Sequence, residues 1–501
     1  MNFKRVLFSL FVLVFISCSS TSRTYEGIVI ALDSEPKRIN PLFLTDLNSH
    51  MVSNIIFKGL IRINEKGIAE PELAESWEIK NNGLEIVFHL KENIYWHDGE
   101  KFKAEDVVFT YELFNSPQVA SPRRGVLGPV KEIKVINPLT LAVIYKEPYG
   151  SAIESWSIGI LPSHIGKKVL EPSFDNEPIG TGAFRIEKWQ KGQFIFLISF
   201  DKFYGRKPAT GKIILKFIPD PTTRYLELKS GKIDVAELPS YMKTDELSSQ
   251  FNRYKADSFR YTCLGFNLKK HPFIDEKFRK AVAYSIDKEE LINSVLKEGK
   301  ISLGPYPANT WYFNTDVKPY PYDIEKARDI LKNMKINSLK FSISINGENK
   351  EIQRVAQFIQ QNLKNIGIEI EIKLYDWQTL RHRIIEEKVF DAVILSRAYL
   401  WDPDIYDLWH SSKTEKGQWN FFSFKDEKVD ILLEKGRKTL NFNERQKIYR
   451  EVHRLLYEKQ ACIFLYENPL VFYANKKIEG IIPDPRGMLY GVERWKMKRA
   501  N

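Results

Sequence analysis

The clearest pattern of apolar and polar positions lies between residues 71 and 114. From 84 to 91 the two types alternate, and this period of two predicts a strand with one buried face. Asp98-Gly99 follows as a turn, because glycine tolerates positive φ and aspartate can close a turn with its own side chain. Apolar residues then recur at helical spacing, at Val107, Val108, Tyr111 and Phe114. The segment therefore predicts a strand, a turn and a helix.

A second pattern, over residues 341–374, predicts a strand, a helix and another strand. Phe341–Ile345 reads as a short strand, and Ile368–Leu374 alternates apolar with polar residues. Gly367 ends the helix between them. The apolar face of that helix carries Ile352, Val355, Ala356, Ile359 and Leu363. Because a crossover of this length joins parallel strands, the chain predicts an α/β fold.

The composition indicates a large protein with a solvated, basic surface. The chain has 501 residues, of which 43% are hydrophobic, which is enough for a large core and too long for one simple domain. The net charge of +11 would suit a nucleic-acid binder if the charge lay on one face. Lysine and glutamate are instead interleaved, as in 269–290 and 415–438, so we expect no nucleic-acid partner. After residue 20 the sequence has no stretch long and apolar enough to span a bilayer.

The first residues look like an export signal. Two basic residues precede the apolar run Val6–Ile16, which has the length of a signal peptide and is too short for a membrane helix. Ser17-Cys18 and a run of small polar residues follow, as in bacterial lipoprotein signals. We expect residues 1–18 to be a signal ending at a lipidated Cys18, and residues 19–27 to be a flexible tether. Ordinary secretion and an uncleaved anchor are the alternatives, and all three imply export.

Cys263 and Cys462 are the remaining cysteines. In an oxidising compartment they could pair, or they could be two buried free thiols, since both lie in apolar, strand-like stretches. The chain has no CxxC, and its eight histidines are scattered singly. We therefore expect neither a metal site nor a cofactor.

Several separated blocks resemble one known family. They are PELAESWE at 71–78, WHDG at 96–99, AEDV at 104–107 and PIGTGAFRI at 178–186. In this order they resemble the family 5 extracellular solute-binding proteins, which are the dipeptide-, oligopeptide- and nickel-binding receptors of ABC importers. The resemblance implies an α/β, two-lobe periplasmic-binding-protein fold of type II, in the large cluster with an extra subdomain.

The resemblance also divides the chain. It implies a first lobe with its core at 28–45, 178–262 and 478–501, an extra subdomain of that lobe at 46–177, and a second lobe at 263–477. A small solute would be clamped between the lobes. With the predicted signal, this implies a monomeric, lipid-anchored protein of the cell envelope, in the periplasm or on the outer surface. Its partners would be the permease and ATPase subunits of an ABC importer.

The resemblance places a ligand-binding loop at Ser396–Trp409. Peptide-binding members have an aspartate three places before an Asp-Pro pair, and that aspartate accepts the α-ammonium group of the peptide. Here Asp402-Pro403 matches the pair, but Tyr399 occupies the matching position, and tyrosine does not supply the carboxylate. Arg397 would suit an anionic group, or would pair with an acid of the protein itself. The candidate substrate-binding residues are Glu35, Arg397, Tyr399, Trp401, Asp402, Trp419 and Asn420.

Peptide is the leading ligand class because it dominates the family, and oligosaccharides, metal chelates and anionic solutes are alternatives. The sparse histidines argue against direct nickel ligation. A hydrolase could use Asp402 with Asp404, or His97-Asp98, but GxSxG, HExxH and a cysteine nucleophile with a histidine partner are missing from the sequence. We therefore expect no catalytic residues. A sensory or scaffold role on the same fold is the remaining alternative.

Overall fold

The computed structural model describes residues 27–257, 259–398 and 402–498. The predicted signal, its lipidation site Cys18 and almost all of the tether lie outside these ranges. Tyr399 and Trp401 also lie outside the described residues.

The first large sheet is built around a buried central strand. Its strands are β1 Ile28–Leu32, β8 Phe184–Gln190, β9 Phe194–Ser199, β10 Lys212–Phe217, β11 Val235–Glu237, β12 Phe251–Ala256 and β19 Leu470–Asn475. They are arranged in the order β12, β19, β11, β1, β10, β9, β8. β1 pairs in parallel with β10 and β11, and every residue of β1 is buried. Ile28 and Ile30 enter one core and Val29 and Ala31 another, because successive side chains point to opposite faces of a sheet.

The second large sheet contains the predicted strand–helix–strand unit. Its strands are β13 Arg260–Phe266, β14 Lys300–Ile301, β15 Leu339–Asn346, β16 Ile368–Tyr375, β17 Ala392–Ala398 and β18 Ile463–Glu467. They are arranged in the order β14, β18, β13, β17, β15, β16. β15 pairs in parallel with β16, from Leu339 opposite Ile368 to Asn346 opposite Tyr375. The prediction of a parallel pair joined by a helix is therefore confirmed.

Smaller sheets complete the first lobe. One contains β4 Ala74–Lys80, β5 Glu85–Leu90, β6 Val130–Asn137 and β7 Thr140–Tyr145, in the order β4, β5, β7, β6. Two further pairs are β2 Ile61–Ile63 with β3 Ala69–Pro71, and β20 Ile478–Glu479 with β21 Lys496–Met497. β5 is the strand that the alternation at 84–91 predicts.

The helices lie between these strands along the chain. They are α1 Leu47–Ile56, α2 Ala104–Asn115, α3 Pro221–Lys229, α4 Glu276–Ser285, α5 Lys288–Glu290, α6 Ile324–Asn333, α7 Lys350–Lys364, α8 Tyr406–Trp409, α9 Glu427–Lys438 and α10 Phe442–Glu458. Leu291–Leu296 and Thr379–Ile385 form π-helical turns. In the part of the chain that the structure describes, no helix combines the length and the apolar character needed to cross a bilayer.

Two large cores define the two lobes. One runs from Phe259 to Tyr466, and the other joins the first sheet to the small sheets around Phe88 and Trp156. The chain crosses between the lobes twice, after β12 and again after β18. The sequence placed 263–477 in the second lobe, but β19 pairs with β11 and β12, so 470–475 lies in the first sheet. Apolar alternation marks a strand without showing which sheet it joins, and this accounts for the difference.

Cys263 and Cys462 are both buried free cysteines. Their thiols contact each other, and burial raises the pKa of the Cys462 thiol well above its usual range. The structure thus shows the second of the two alternatives for these residues.

Candidate functional site

A cleft of about 1660 Å³ lies between the two lobes. Asp33 and Leu238 line it from the first lobe, just beyond the ends of β1 and β11. Ala398 and Lys350 line it from the second lobe, at the end of β17 and the start of α7. In open α/β sheets, ligands bind beyond the carboxyl ends of parallel strands, and this cleft has that position.

Opposite charges from the two lobes meet in the cleft. Glu237 ends β11, and Arg260 begins β13 in the other lobe. The Glu237 side chain is open to the cleft, yet the protein around it removes part of its hydration, which raises its pKa; Arg260 opposes that shift, and Asp33 adds to it. Arg224 holds the backbone here, because its guanidinium donates to the carbonyl oxygen of Glu237 at 3.0 Å. The arrangement provides both signs of charge to a ligand between the lobes.

A histidine and an arginine form another part of the wall. His50 lies on α1, and burial together with Arg123 lowers its pKa to about 4, so it is neutral at pH 7. Arg123 donates to the carbonyl oxygen of Pro41 at 2.9 Å, and burial lowers its pKa to about 10, so it stays charged. A neutral imidazole can accept a hydrogen bond or bind a metal, and a guanidinium suits a carboxylate.

The second lobe contributes neutral and acidic groups. Thr262 and Ser396 face each other on β13 and β17, with their hydroxyl oxygens 2.8 Å apart. Glu351, in the first turn of α7, accepts hydrogen bonds from Asn468 at 2.7 Å and from Tyr466 at 3.2 Å. Thr262, Ser396, Glu351 and Asn468 all line the cleft.

Glu35 and Arg397, both predicted to contact ligand, do not line the cleft. The Glu35 carboxylate accepts from Trp189 Nε1 at 2.8 Å and from the Gly192 backbone at 2.9 Å, so it holds the turn between β8 and β9. Arg397 lies on β17 between two cleft residues and therefore points to the opposite face. Its guanidinium lies over the rings of Trp409, Phe421 and Phe422.

Asp402, Asn420 and Trp419 also lie outside the cleft lining. Asp402 accepts from Arg445 at 2.8 Å and from Ser151 at 2.7 Å. Asn420 is fully buried and bonds to the backbone of His410 and Phe424. The indole of Trp419 is 47% exposed and lies under the Arg381 guanidinium.

The side chains considered for catalysis have structural partners. His97 is half-buried, its Nδ1 accepts from the Gly180 backbone at 3.2 Å, and loss of hydration lowers its pKa to about 4. Asp404 accepts from Arg437 at 2.8 Å, and burial raises its pKa. Within the described ranges, no group of three or more His, Cys, Asp or Glu side chains is placed to hold a metal ion.

The sequence analysis missed His50, Arg123, Glu237 and Arg260. They are far apart along the chain, and none lies in a motif.

Two α/β lobes, two crossing segments and a large cleft between them define a two-lobed solute-binding protein. The chain belongs to the bacterial extracellular solute-binding proteins of family 5, whose model matches residues 69–419. Membership of this family makes it an exported binding protein and not an enzyme. The resemblance read from the sequence blocks is therefore confirmed.

Several relatives cover nearly the whole chain. The oligopeptide-binding protein AppA of Bacillus subtilis is 28% identical over 95% of this chain and 93% of its own length. A solved structure of NikZ from Campylobacter jejuni in complex with Ni(L-His) is 30% identical, with a TM-score of 0.83 over 94% of this chain and 99% of that chain. The structure of Bacillus subtilis AppA in complex with a nonapeptide is 26% identical, with a TM-score of 0.81 over 94% of this chain and 99% of that chain.

Proposed function

We propose that this protein is the lipid-anchored substrate-binding component of an ABC importer. It captures a peptide or a similar solute between its lobes and delivers it to a membrane permease. The observation that carries the proposal is the cleft of about 1660 Å³, with charged groups from both lobes. A cavity of this size holds a small peptide, and relatives named as peptide-binding proteins match nearly the whole chain.

Capture works by closure of the lobes. The two crossings, one between β12 and β13 and the other between β18 and β19, connect the two large sheets and serve as the hinge. A ligand that contacts both lobes stabilises the closed form and shifts the population towards it. Glu237 and Arg260 contribute one group from each lobe to that contact. The lipid anchor follows from Cys18 and the apolar run before it.

A metal chelate is the second candidate ligand. It is favoured by the NikZ structure with Ni(L-His) and by His50 beside Arg123 in the cleft wall. A neutral imidazole nitrogen could occupy an open position on the metal, while the guanidinium binds a carboxylate of the chelating amino acid. One protein histidine suffices in this arrangement, because the chelator supplies the other ligands.

Native mass spectrometry of the exported chain, purified without denaturation, tests the proposal. One small molecule bound per chain, released on unfolding and identified as a peptide, supports the primary function. If no solute co-purifies, and neither a peptide library nor nickel with L-histidine raises the melting temperature, importer function is refuted. Labelling with radioactive palmitate should mark the wild-type protein and leave Cys18→Ser unlabelled.

Titration with nickel and L-histidine separates the two ligands. If the chelate is the ligand, His50→Ala should weaken its binding at least tenfold. His89→Ala is the matched control, because His89 lies in the same lobe outside the cleft and pairs with Glu78. Equal affinity of both variants would exclude His50 as a metal ligand.

A further inference from the structure

The lobes meet at a second interface, away from the cleft lining. On the first lobe it is formed by residues 147–154, which follow β7. On the second lobe it is formed by the end of α9, the start of α10 and the loop at Asp402. The Gly150 backbone donates to the carbonyl oxygen of Arg437 at 2.5 Å. At the rim, Lys438 lies 3.2 Å from Glu147, and both side chains are exposed.

Three side chains, those of Ser151, Asp402 and Arg445, connect the lobes here. Arg445 donates to both carboxylate oxygens of Asp402, at 2.8 and 2.9 Å, and to the Ser151 hydroxyl at 2.9 Å. That hydroxyl donates to Asp402 at 2.7 Å. The Arg445 side chain is 4% exposed. Opening the lobes would break the bonds of Ser151 and leave the pair of Arg445 with Asp402 intact, because both belong to the second lobe.

Gly150 allows the lobes to approach this closely. A Cβ atom there would lie 2.8 Å from Arg445 Nε and 2.9 Å from the carbonyl oxygens of Gly436 and Thr439. These three atoms belong to the second lobe, so a side chain at 150 is excluded only when the lobes are together. The backbone of Gly150 is not left-handed, so a larger residue imposes no strain on the first lobe itself.

We propose that Gly150, Ser151, Asp402 and Arg445 form a latch that stabilises the closed arrangement of the lobes independently of the ligand. The inference rests on the proposed function insofar as capture proceeds by closure. It gives Asp402 a positioning role in place of ligand contact. Because these four residues do not line the cleft, the latch changes the affinity for every ligand by the same factor.

Glu154 makes the latch sensitive to pH. Its half-buried carboxylate faces Asp402 and Arg445 from the other lobe and Tyr145 from its own. Burial raises the pKa of Glu154 to about 7, Asp402 adds to the shift, and Arg445 opposes it. Opening exposes the carboxylate, so its pKa returns towards the ordinary glutamate range.

At pH values between the ordinary glutamate pKa and 7, closure of the lobes is therefore accompanied by protonation of Glu154. The ratio of closed to open protein rises as the pH falls through this window, by up to about tenfold per pH unit for one proton. Above pH 7 Glu154 is ionised in both forms, and the dependence ends.

Distances between spin labels in the ligand-free protein test the latch without knowledge of the ligand. Nitroxides at Lys131→Cys and Lys447→Cys report the separation of the lobes, because both positions are exposed and the native Cys263 and Cys462 are buried. Cys18 is replaced by serine in all of these variants. Wild type should show a closed population that grows between pH 8 and pH 5.5. Gly150→Leu should show no closed population at either pH, and Ser151→Ala should reduce the closed population severalfold. Glu154→Gln should keep the closed population at both pH 8 and pH 5.5.

Gly211→Leu is the matched control, because a Cβ at Gly211 meets nothing within 4 Å, and it should behave as wild type. A wild-type protein that is open at every pH overturns the latch, and so does a Gly150→Leu variant that still closes. If the variants shift the populations as expected but no solute binds, the latch stands and the importer function fails. If solute binds with equal affinity to wild type, Gly150→Leu and Ser151→Ala, the function stands and the latch fails.

Discussion

His453 should make the second lobe sensitive to acid. It lies on α10, fully buried, with its ring 4.8 Å from that of Phe313. Its Nδ1 accepts from the Asn314 backbone at 2.9 Å, and its Nε2 donates to the carbonyl oxygen of Leu303 at 2.8 Å. A second proton would have to go on Nδ1, where it would face the N–H of Asn314. The site therefore holds the neutral ring.

The expected loss of stability follows from the shift. Burial lowers the pKa of His453 from 6.5 to about 4. Below pH 6.5 the unfolded chain takes up a proton that the folded chain refuses, so stability falls as the pH falls from 6.5 towards 4. Between pH 8 and pH 5 this one residue should cost about 2 kcal/mol of the free energy of unfolding.

Urea unfolding of wild type and His453→Gln at both pH values measures this contribution. The variant should be less stable at pH 8 by about 1–3 kcal/mol, because a hydrogen bond and packing are lost. Its further loss on going to pH 5 should be smaller than that of wild type by about 2 kcal/mol. His382→Gln, at an exposed position, should keep the wild-type difference. If His453→Gln loses as much stability between the two pH values as wild type, the reasoning is refuted.

Three further substitutions test the packing that supports the site. Gly182→Ala would place a Cβ against the carbonyl oxygen of Ile55, and should lower the free energy of unfolding by about 3 kcal/mol in calorimetry. Arg279 donates to four backbone carbonyl groups, so Arg279→Met should cost about 3–5 kcal/mol in urea unfolding, with little recovery in Arg279→Lys. Arg445→Met should cost about 3–5 kcal/mol, because the Asp402 charge is left unpaired, and adding Asp402→Asn should recover part of that loss. If Arg445→Met and Asp402→Asn change the free energy of unfolding additively, a direct ion pair between the two side chains is contradicted.

The elements that sequence patterns predicted are those whose evidence is local. The alternation at 84–91 became β5, and the apolar face around Ile359 became α7 between two parallel strands. The membership of β19 in the first sheet depends on pairing with β11 and β12, which lie more than 200 positions earlier. A period of two contains no information about such a partner.

The residues of the cleft were harder to predict for a related reason. His50 and Arg123 meet in the wall because α1 and the segment after α2 pack in one lobe. Glu237 faces Arg260 because β11 ends, and β13 begins, where the two lobes meet at the cleft. None of these residues is unusual within its own stretch. Their proximity is produced by the tertiary fold and appears only with it.

Asp402 shows how far resemblance to a family motif can assign the role of a single residue. Ser396 and Ala398, at the start of the loop that the resemblance indicated, line the cleft, whereas Asp402 does not. The carboxylate of Asp402 accepts hydrogen bonds from Arg445 and Ser151. The nearly buried Arg445 guanidinium would be costly without an opposite charge beside it, and Asp402 supplies that charge. A side chain that matches a family motif can thus stabilise the closed form without contacting the ligand. The residues around Asp402 therefore influence ligand capture through the energy of the closed state, while selectivity is left to the charges and the imidazole in the cleft wall.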